Sequence, residues 1–319
     1  MKILVCPLDW GLGHATRCAP LIRNFIDSGD EVVVAADGLA LQFLRGEFQQ
    51  VQFETLRSYG ITYSKGKSQV GAMLRNLPKI IWGVCAEHRW LCNYLRHNKI
   101  DTVVSDNRFG LWSPQVKCIY ITHQLMVKMP EKIACVEKFV WRVHRWFINR
   151  YDKCWIPDFE DAENNLSGDL SHKYPLPARA EFINPLSRFS GKTIAPNAHF
   201  HTVCVLSGVE PQRSLFENDL LKKFENSTEK ILIIQGNPQE KILKYQKSNI
   251  TVLSHIDSET LAGYLIGAQQ IICRSGYSSI MDLSALNCMD KATLIPTPGQ
   301  TEQEYLAKYH QKNRQNCHC

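Results

Sequence analysis

The chain has 319 residues, 44% hydrophobic and 21% charged, with a net charge of +6. That is the composition of a soluble globular protein with room for two domains of ordinary size. No run reaches the ~18 apolar residues that would span a bilayer. No Cys-x-x-Cys pair occurs among the 12 cysteines to support zinc or thioredoxin-like chemistry. The mild positive charge suits an anionic ligand or membrane surface without demanding either.

Residues 2–6 form an apolar, β-branched run that predicts a buried strand. Because the N-terminus enters a strand at once, no secretion signal is read, and a cytoplasmic protein is expected. Cys18, Leu21, Ile22, Phe25 and Ile26 then recur at helical spacing, Gly29-Asp30 stops the helix, and residues 31–36 read as the next strand. Between strand and helix lies Gly11-Leu12-Gly13-His14, a glycine loop at a strand's carboxyl end, the edge where open parallel sheets bind ligands. Two glycines permit close backbone approach, and the helix start favours an anion or a polar oxygen. His14 exposes a titratable imidazole to whatever binds. The loop is not a dinucleotide fingerprint, because Thr16 stands where the third glycine would be.

Residues 39–48 look helical, and Ser58-Tyr59-Gly60-Ile61 and Ser64-Lys65-Gly66-Lys67 look like loops. Residues 72–98 read as one or two helices, with Leu74, Leu77, Ile81, Val84, His88, Leu91 and Leu95 roughly in phase. Strand 100–105 ends in Asp106-Asn107-Arg108, and strand 118–122 ends in His123-Gln124. Titratable groups therefore converge on the sheet edge that carries His14, which predicts a site. Residues 132–151 predict a helix with Val140, Val143, Phe147 and Tyr151 on one face, Phe139 and Trp146 beside them, and Lys138, Arg142, Arg145 and Arg150 off that face. Such a helix can lie on an anionic membrane surface or pack its apolar face on the sheet. Residues 151–158 give a further short strand. Pro, Ser, Asn and Gly then gather through 175–197 and place the domain boundary near 185–198, with domains of residues 1–185 and 198–319.

The second half repeats the pattern. Strand 201–206 leads to a loop with Ser207, Gly208, Glu210, Gln212 and Arg213, then a helix to about Phe224. Strands at 230–236 and 250–253 and a helix from Leu261 to Ala268 follow. Strand 270–273 ends in Arg274-Ser275-Gly276-Tyr277-Ser278-Ser279, a helix runs through Asp282, and a strand at 292–296 leads to a loop with Gln300, Gln303 and Glu304 that opens a last helix. This alternation predicts a parallel sheet with right-handed crossovers in each half. The three loops offer small residues or amides at helix starts, and the first two add Arg213 and Arg274, which suits a diphosphate. Asp282 could accept from ribose hydroxyls, and Gln303 and Glu304 could hold a sugar ring.

On Gly11-Leu12-Gly13-His14, Cys273-Arg274-Ser275-Gly276, Asp282 and Gln303-Glu304, the chain resembles the GT-B glycosyltransferases. Within them it resembles glycosyltransferase family 28, the family of the N-acetylglucosaminyltransferase that completes lipid II. The resemblance covers both halves. It implies an α/β, GT-B fold of two Rossmann-like domains with parallel sheets facing across a cleft. It also implies an N-terminal domain for the acceptor and a C-terminal domain for a UDP-sugar such as UDP-GlcNAc, with the acidic residue at Asp282 on the ribose. The family usually has Glu and Gln-Gln where this chain has Asp282 and Gln303-Glu304. GT-B chains generally end in a helix returning to the first domain, and about fifteen polar residues follow Glu304 here, so that helix is expected to be very short or the chain truncated.

The expected activity is an inverting, metal-independent glycosyl transfer from a nucleoside-diphosphate sugar, the co-substrate, to an acceptor hydroxyl, with no cofactor and no nucleic-acid partner. His14 is the expected base and Asp106 its orienting carboxylate. Gly11, Gly13, Arg17, Asn107, Arg108 and His123 are expected on the acceptor side. The donor is expected on Ser207, Gly208, Glu210, Gln212, Arg213, Arg274, Ser275, Gly276, Ser278, Ser279, Asp282, Gln300, Gln303 and Glu304. A lipid or lipid-linked acceptor would put the protein on the inner face of a membrane. The rival readings are a nucleotide-sugar epimerase of the same fold and a non-catalytic nucleotide-sugar-binding subunit.

Overall fold

The computed structural model describes the chain except residues 60–68, 209, 238–242, 248 and 318–319, and except the side chains of 69–77, 243–247 and 316–317. The expected loops at Gly60-Ile61 and Ser64–Lys67, Val209 in the first donor loop, and His318-Cys319 thus lie outside the described residues, as do the side chains of Leu74 and Leu77. The chain divides into two compact units, Met1–Asp9 with His14–Leu186, and Trp10–Gly13 with Ser187–Cys319.

The first unit runs β1 (Lys2–Pro7), α1 (Gly13–Asp27), β2 (Glu31–Ala36), α2 (Gly38–Glu47), β3 (Gln52–Thr55), α3 (Gln69–His97), β4 (Thr102–Asp106) and β5 (Lys117–Ile121). A short 3-10 turn (Glu131–Val136), α4 (Glu137–Ile148), β6 (Lys153–Ile156), α5 (Asp169–His172) and β7 (Ala180–Phe182) complete it. The strands lie in the order β3-β2-β1-β4-β5-β6-β7, every pair parallel. Ile3, Leu4, Val5 and Cys6 are all buried, as expected of a central strand covered on both faces. Leu4, Val33, Val103 and Tyr120 of four neighbouring strands share one core with Leu91 of α3 and Ile148 of α4. β3 and β7 escape the sequence reading because short, half-polar strands (QFET, AEF) show no run to detect.

The inward face of α4 differs from the expected one. Glu137, Trp141, His144 and Ile148 are buried, whereas Val143 is 41% exposed, Phe139 65% and Trp146 55%. Hydropathy periodicity fails here because two of the buried residues are polar and find partners inside. His144 Nδ1–H donates to Leu125 O at 3.2 Å, and Glu137 accepts from Met129 N at 3.1 Å and from Lys173 Nζ at 2.9 Å. Tyr151 is buried, but in the turn beyond the helix.

The second unit runs β8 (Thr202–Val205), α6 (Gln212–Lys223), β9 (Ile231–Ile234), β10 (Leu243–Lys247), β11 (Ile250–Leu253), α7 (Ser258–Gly267), β12 (Gln270–Arg274), α8 (Tyr277–Ala285), β13 (Ala292–Ile295) and α9 (Thr301–Cys317). The order is β10-β11-β9-β8-β12-β13, parallel except for β10 against β11. That antiparallel edge hairpin corrects the expectation of a purely parallel sheet. Alternate strand residues reach opposite faces: Val203, Leu232 and Ile271 pack with Leu261 and Leu265 of α7. Cys204, Ile233 and Ile272 pack with Phe216 and Leu220 of α6.

Each order contains one reversal of direction. In the first sheet it falls between β1 and β4, in the second between β8 and β12. Ligands of open α/β sheets bind beyond the carboxyl strand ends at such reversals. The loops there are Leu8-Asp9 with Asp106-Asn107 in the first unit, and residues 206–208 and 210–211 with Ser275-Gly276 in the second.

Candidate active site

In the first unit the sheet register assembles the cluster. Pro7 of β1 lies opposite Asp106 of β4, and Asp106 opposite Ile121 of β5, two residues before His123. Gly11 turns the chain out of β1 with φ +74°, a conformation glycine adopts without strain. α1 then presents His14 and Arg17, three residues apart on one face, to the strand ends.

Arg17 is the hub. Its Nε donates to Asp106 Oδ2 at 2.8 Å and its Nη2 reaches Asp106 Oδ1, a two-pronged ion pair with the carboxylate fully buried. Arg17 Nη1 lies 2.9 Å from His123 Nδ1, and Nη2 lies 2.8 Å from His14 Nδ1. His14 Nδ1 is also 3.2 Å from Asp106 Oδ2. The Cys18 thiol points at the same oxygen from 3.5 Å. Burial opposes the charge on Asp106, but the Arg17 guanidinium and His14 outweigh it and hold the carboxyl well below the usual range. Burial and then the Arg17 charge push His14 below the ordinary imidazole value, against the pull of Asp106. The result is a neutral imidazole with 13% of its side chain exposed, backed by an ionised carboxylate. It can accept a proton from a bound hydroxyl.

Three residues expected on the acceptor side do other work. Arg17 is 3% exposed and is the counterion of Asp106. Arg108 is fully buried, and its guanidinium donates to Pro7 O, Leu56 O, Arg57 O and Glu87 Oε1 at 2.9–3.2 Å, tying the β1 and β3 ends to α3. Asn107 takes φ +54° in the turn after β4, where Asn is tolerated, and its Oδ1 accepts from Tyr120 OH at 3.3 Å. Glu87, which anchors Arg108, was invisible in the sequence: a carboxylate on a helix reads as surface charge until its partner is known.

In the second unit the loops lie at the expected strand ends, but several side chains are engaged internally. Arg274 is 4% exposed; its Nη1 donates to Pro296 O at 2.9 Å and its Nη2 to Gln212 O at 3.2 Å, with the guanidinium 4.0 Å over the Phe216 ring. It therefore fastens three loops together. Asp282 accepts from Ser187 Oγ at 2.7 Å and pairs with Arg188 Nε at 3.2 Å, so its carboxylate ties α8 to the segment entering the unit. Ser275 Oγ donates to Gln303 O at 2.8 Å. Gln303 and Glu304 cap their own loop, accepting from Thr297 N and Gly299 N at 2.9 Å, and Gln303 Nε2 donates to Gln300 Oε1 at 2.6 Å. Glu210 pairs with Arg213 and accepts from Ser214 N at 3.3 Å, and Gln212 is buried.

The start of α8 differs from those loops. Gly276 caps it with φ −71° and ψ 142° and no side-chain hydrogen bond, and a Cβ there would meet no atom within 4 Å. The half-buried Ser278 and Ser279 lie in the first turn. Backbone N–H groups at a helix start suit an anion. Ser207 and Gly208, the latter at φ +100°, follow the neighbouring strand β8. Among the described residues, no group of three or more His, Cys, Asp or Glu is arranged to hold a metal ion.

No family model matches the chain. An uncharacterized glycosyltransferase of Methanosarcina acetivorans is 22% identical over 327 aligned positions, covering 95% of this chain and 82% of that protein. The solved structure of spinosyn rhamnosyltransferase SpnG with thymidine diphosphate superposes with a TM-score of 0.55 at 14% identity, over 100% of this chain and 91% of that one. A candidate UDP-N-acetylglucosamine 2-epimerase from Listeria monocytogenes gives 0.54 at 10% identity, over 98% and 89%. These structural likenesses are of fold, and by its fold this chain is an α/β protein of two largely parallel sheets, like the GT-B glycosyltransferases.

Proposed function

We propose that the chain is an inverting, metal-independent glycosyltransferase moving a sugar from a nucleoside diphosphate, UDP in the first instance, to the hydroxyl of a lipid or lipid-linked acceptor. The observation that carries this reading is the His14 imidazole set against the buried Asp106 carboxylate, Nδ1 3.2 Å from Oδ2, at the switch point of the first sheet. The acceptor oxygen bonds to the anomeric carbon as its proton passes to His14, and the bond from that carbon to the diphosphate breaks on the opposite face. Within the second unit, the start of α8 with Ser278 and Ser279 suits the diphosphate of a donor. Transfer is also the activity in the name of the Methanosarcina relative, thymidine diphosphate is bound by the spinosyn enzyme, and the family 28 resemblance favours UDP-GlcNAc.

The lipid acceptor is supported by the outer surface of α4. Phe139, Val143 and Trp146 face away from the buried stripe, and Lys138, Arg142 and Arg145 run beside them. Aromatic residues bordered by cations suit an anionic membrane surface. No helix among the described residues is long and apolar enough to cross a membrane.

The deciding experiment incubates the protein with radiolabelled UDP- and TDP-sugars, alone and with a membrane-lipid extract. Label appearing in the lipid fraction supports transfer. An altered sugar nucleotide formed from donor alone makes the protein an epimerase, the reading that the Listeria likeness leaves open.

A further inference from the structure

The His14 ring makes two contacts at one nitrogen that a neutral imidazole cannot satisfy together. Arg17 Nη2 lies 2.8 Å from Nδ1, and Asp106 Oδ2 lies 3.2 Å from the same atom. A guanidinium only donates, and an ionised carboxylate only accepts. A lone pair on Nδ1 suits Arg17; a proton there suits Asp106. The shorter contact is to Arg17, and Asp106 Oδ2 already accepts from Arg17 Nε at 2.8 Å. The titratable and charged groups facing the ring are Arg17 from α1, Asp106 from the end of β4 and His123 from beyond β5, with the Cys18 thiol against Asp106.

We propose that Arg17 is a positioning residue for His14: its guanidinium takes up the Asp106 carboxylate and competes with it for His14 Nδ1, so that the resting imidazole is neutral and carries its proton on Nε2. The proposal rests on the reading of His14 as base and adds how that ring is kept neutral until substrate arrives. In an ordinary His–carboxylate pair the carboxylate stabilises the imidazolium, so the base fills with protons as the pH falls. Here Arg17 has already neutralised the carboxylate, and the imidazole keeps a single proton. When a hydroxyl arrives, the Nε2 proton passes to water and a proton from water enters at Nδ1, where Asp106 Oδ2 accepts the new N–H. The freed Nε2 lone pair takes the hydroxyl proton as the oxygen bonds to the anomeric carbon. The electron pair of the breaking carbon–oxygen bond leaves with the diphosphate.

Nitrogen-detected NMR of histidine-labelled full-length protein, titrated without ligand, tests this. The wild type is expected to show His14 as the Nε2–H tautomer. Arg17→Met is expected to switch it to Nδ1–H, held by the unpaired Asp106, and to raise its titration midpoint by about one unit or more. The acidic limb of kcat moves up with it. Asp106→Asn, which leaves Arg17 as donor, keeps the Nε2–H tautomer and lowers the midpoint, and it stands in if Arg17→Met does not fold. An Nδ1–H tautomer in the wild type, or an unchanged tautomer and midpoint in folded Arg17→Met, overturns the proposal; so does an Nδ1–H tautomer in Asp106→Asn. Full transfer activity in His14→Gln would end the reading of His14 as base and leave the NMR result standing.

Discussion

Two arginines show how far a residue's role depends on what surrounds it. Arg274 ends a strand in a glycine- and serine-rich loop, the place for a phosphate ligand, yet its two terminal nitrogens donate to carbonyls and its plane lies over the Phe216 ring. Arg274→Ala is therefore expected to destabilise the fold by about 2–4 kcal/mol, the scale of two charge-assisted hydrogen bonds and a cation–π contact. Nucleotide affinity should weaken only as the loops loosen. A folded variant with an unchanged melting temperature and lost affinity in calorimetry would return Arg274 to direct contact with the diphosphate. For His14→Ala, loss of a general base is expected to lower kcat by roughly 10²–10⁴-fold with donor affinity near normal. Asp106→Asn should also lower kcat, but it leaves Arg17 without its counterion and so costs stability as well. Melting curves run beside the kinetics separate the two effects. If the acidic limb of the kcat profile persists in His14→Gln, the base lies elsewhere, and His123 is the next residue to change.

At the scale of the element, α4 carries two separable properties on opposite faces. Trp141→Ala on the buried stripe is expected to cost about 3–5 kcal/mol, while Phe139→Ser and Trp146→Ser on the outer stripe should leave stability within about 0.5 kcal/mol. The outer substitutions, and Lys138→Glu with Arg142→Glu, should abolish co-sedimentation with anionic vesicles, which in the wild type falls as salt rises. Absence of vesicle binding by the wild type at low salt would favour a water-soluble acceptor. His144 makes the same helix sensitive to acid. Burial pushes its imidazole down to about 4, against a partial counter-effect of its hydrogen bond to Leu125 O, whereas the unfolded chain titrates near 6.5. The unfolded state therefore takes up the proton first as the pH falls. The stabilising contribution is complete above about pH 6.5 and is lost towards pH 4, to a total of about 3 kcal/mol. Denaturant unfolding measured across that range should show this slope in the wild type and a flatter one in His144→Gln.

At the scale of the molecule, each unit has its own sheet and its own buried core. Calorimetry is accordingly expected to resolve two transitions and not one. A saturating nucleoside diphosphate should raise only one of them, by about 2.7 kcal/mol at a hundredfold excess over Kd. A single transition that shifts as a whole would show that the units unfold together.

The sequence alone determined the alternation of strands and helices and the strand ends that carry polar loops. These follow from local pattern: β-branched runs, 3.6-residue periodicity and glycine at turns act over a few residues and leave their mark there. It also placed His14 and Asp106 on one edge, because parallel strands align their carboxyl ends. What it could not determine was the fate of each charge. Arg17 and Asp106 are 89 residues apart, Arg108 and Glu87 face each other from a strand end and a helix, and Asp282 meets Ser187 across 95 residues. The same limit hid the buried face of α4, where polar Glu137 and His144 go inward because partners await them. Whether a charged side chain meets solvent, a ligand or an opposite charge is decided by long-range packing, since desolvation must be offset by a partner that only the assembled fold supplies.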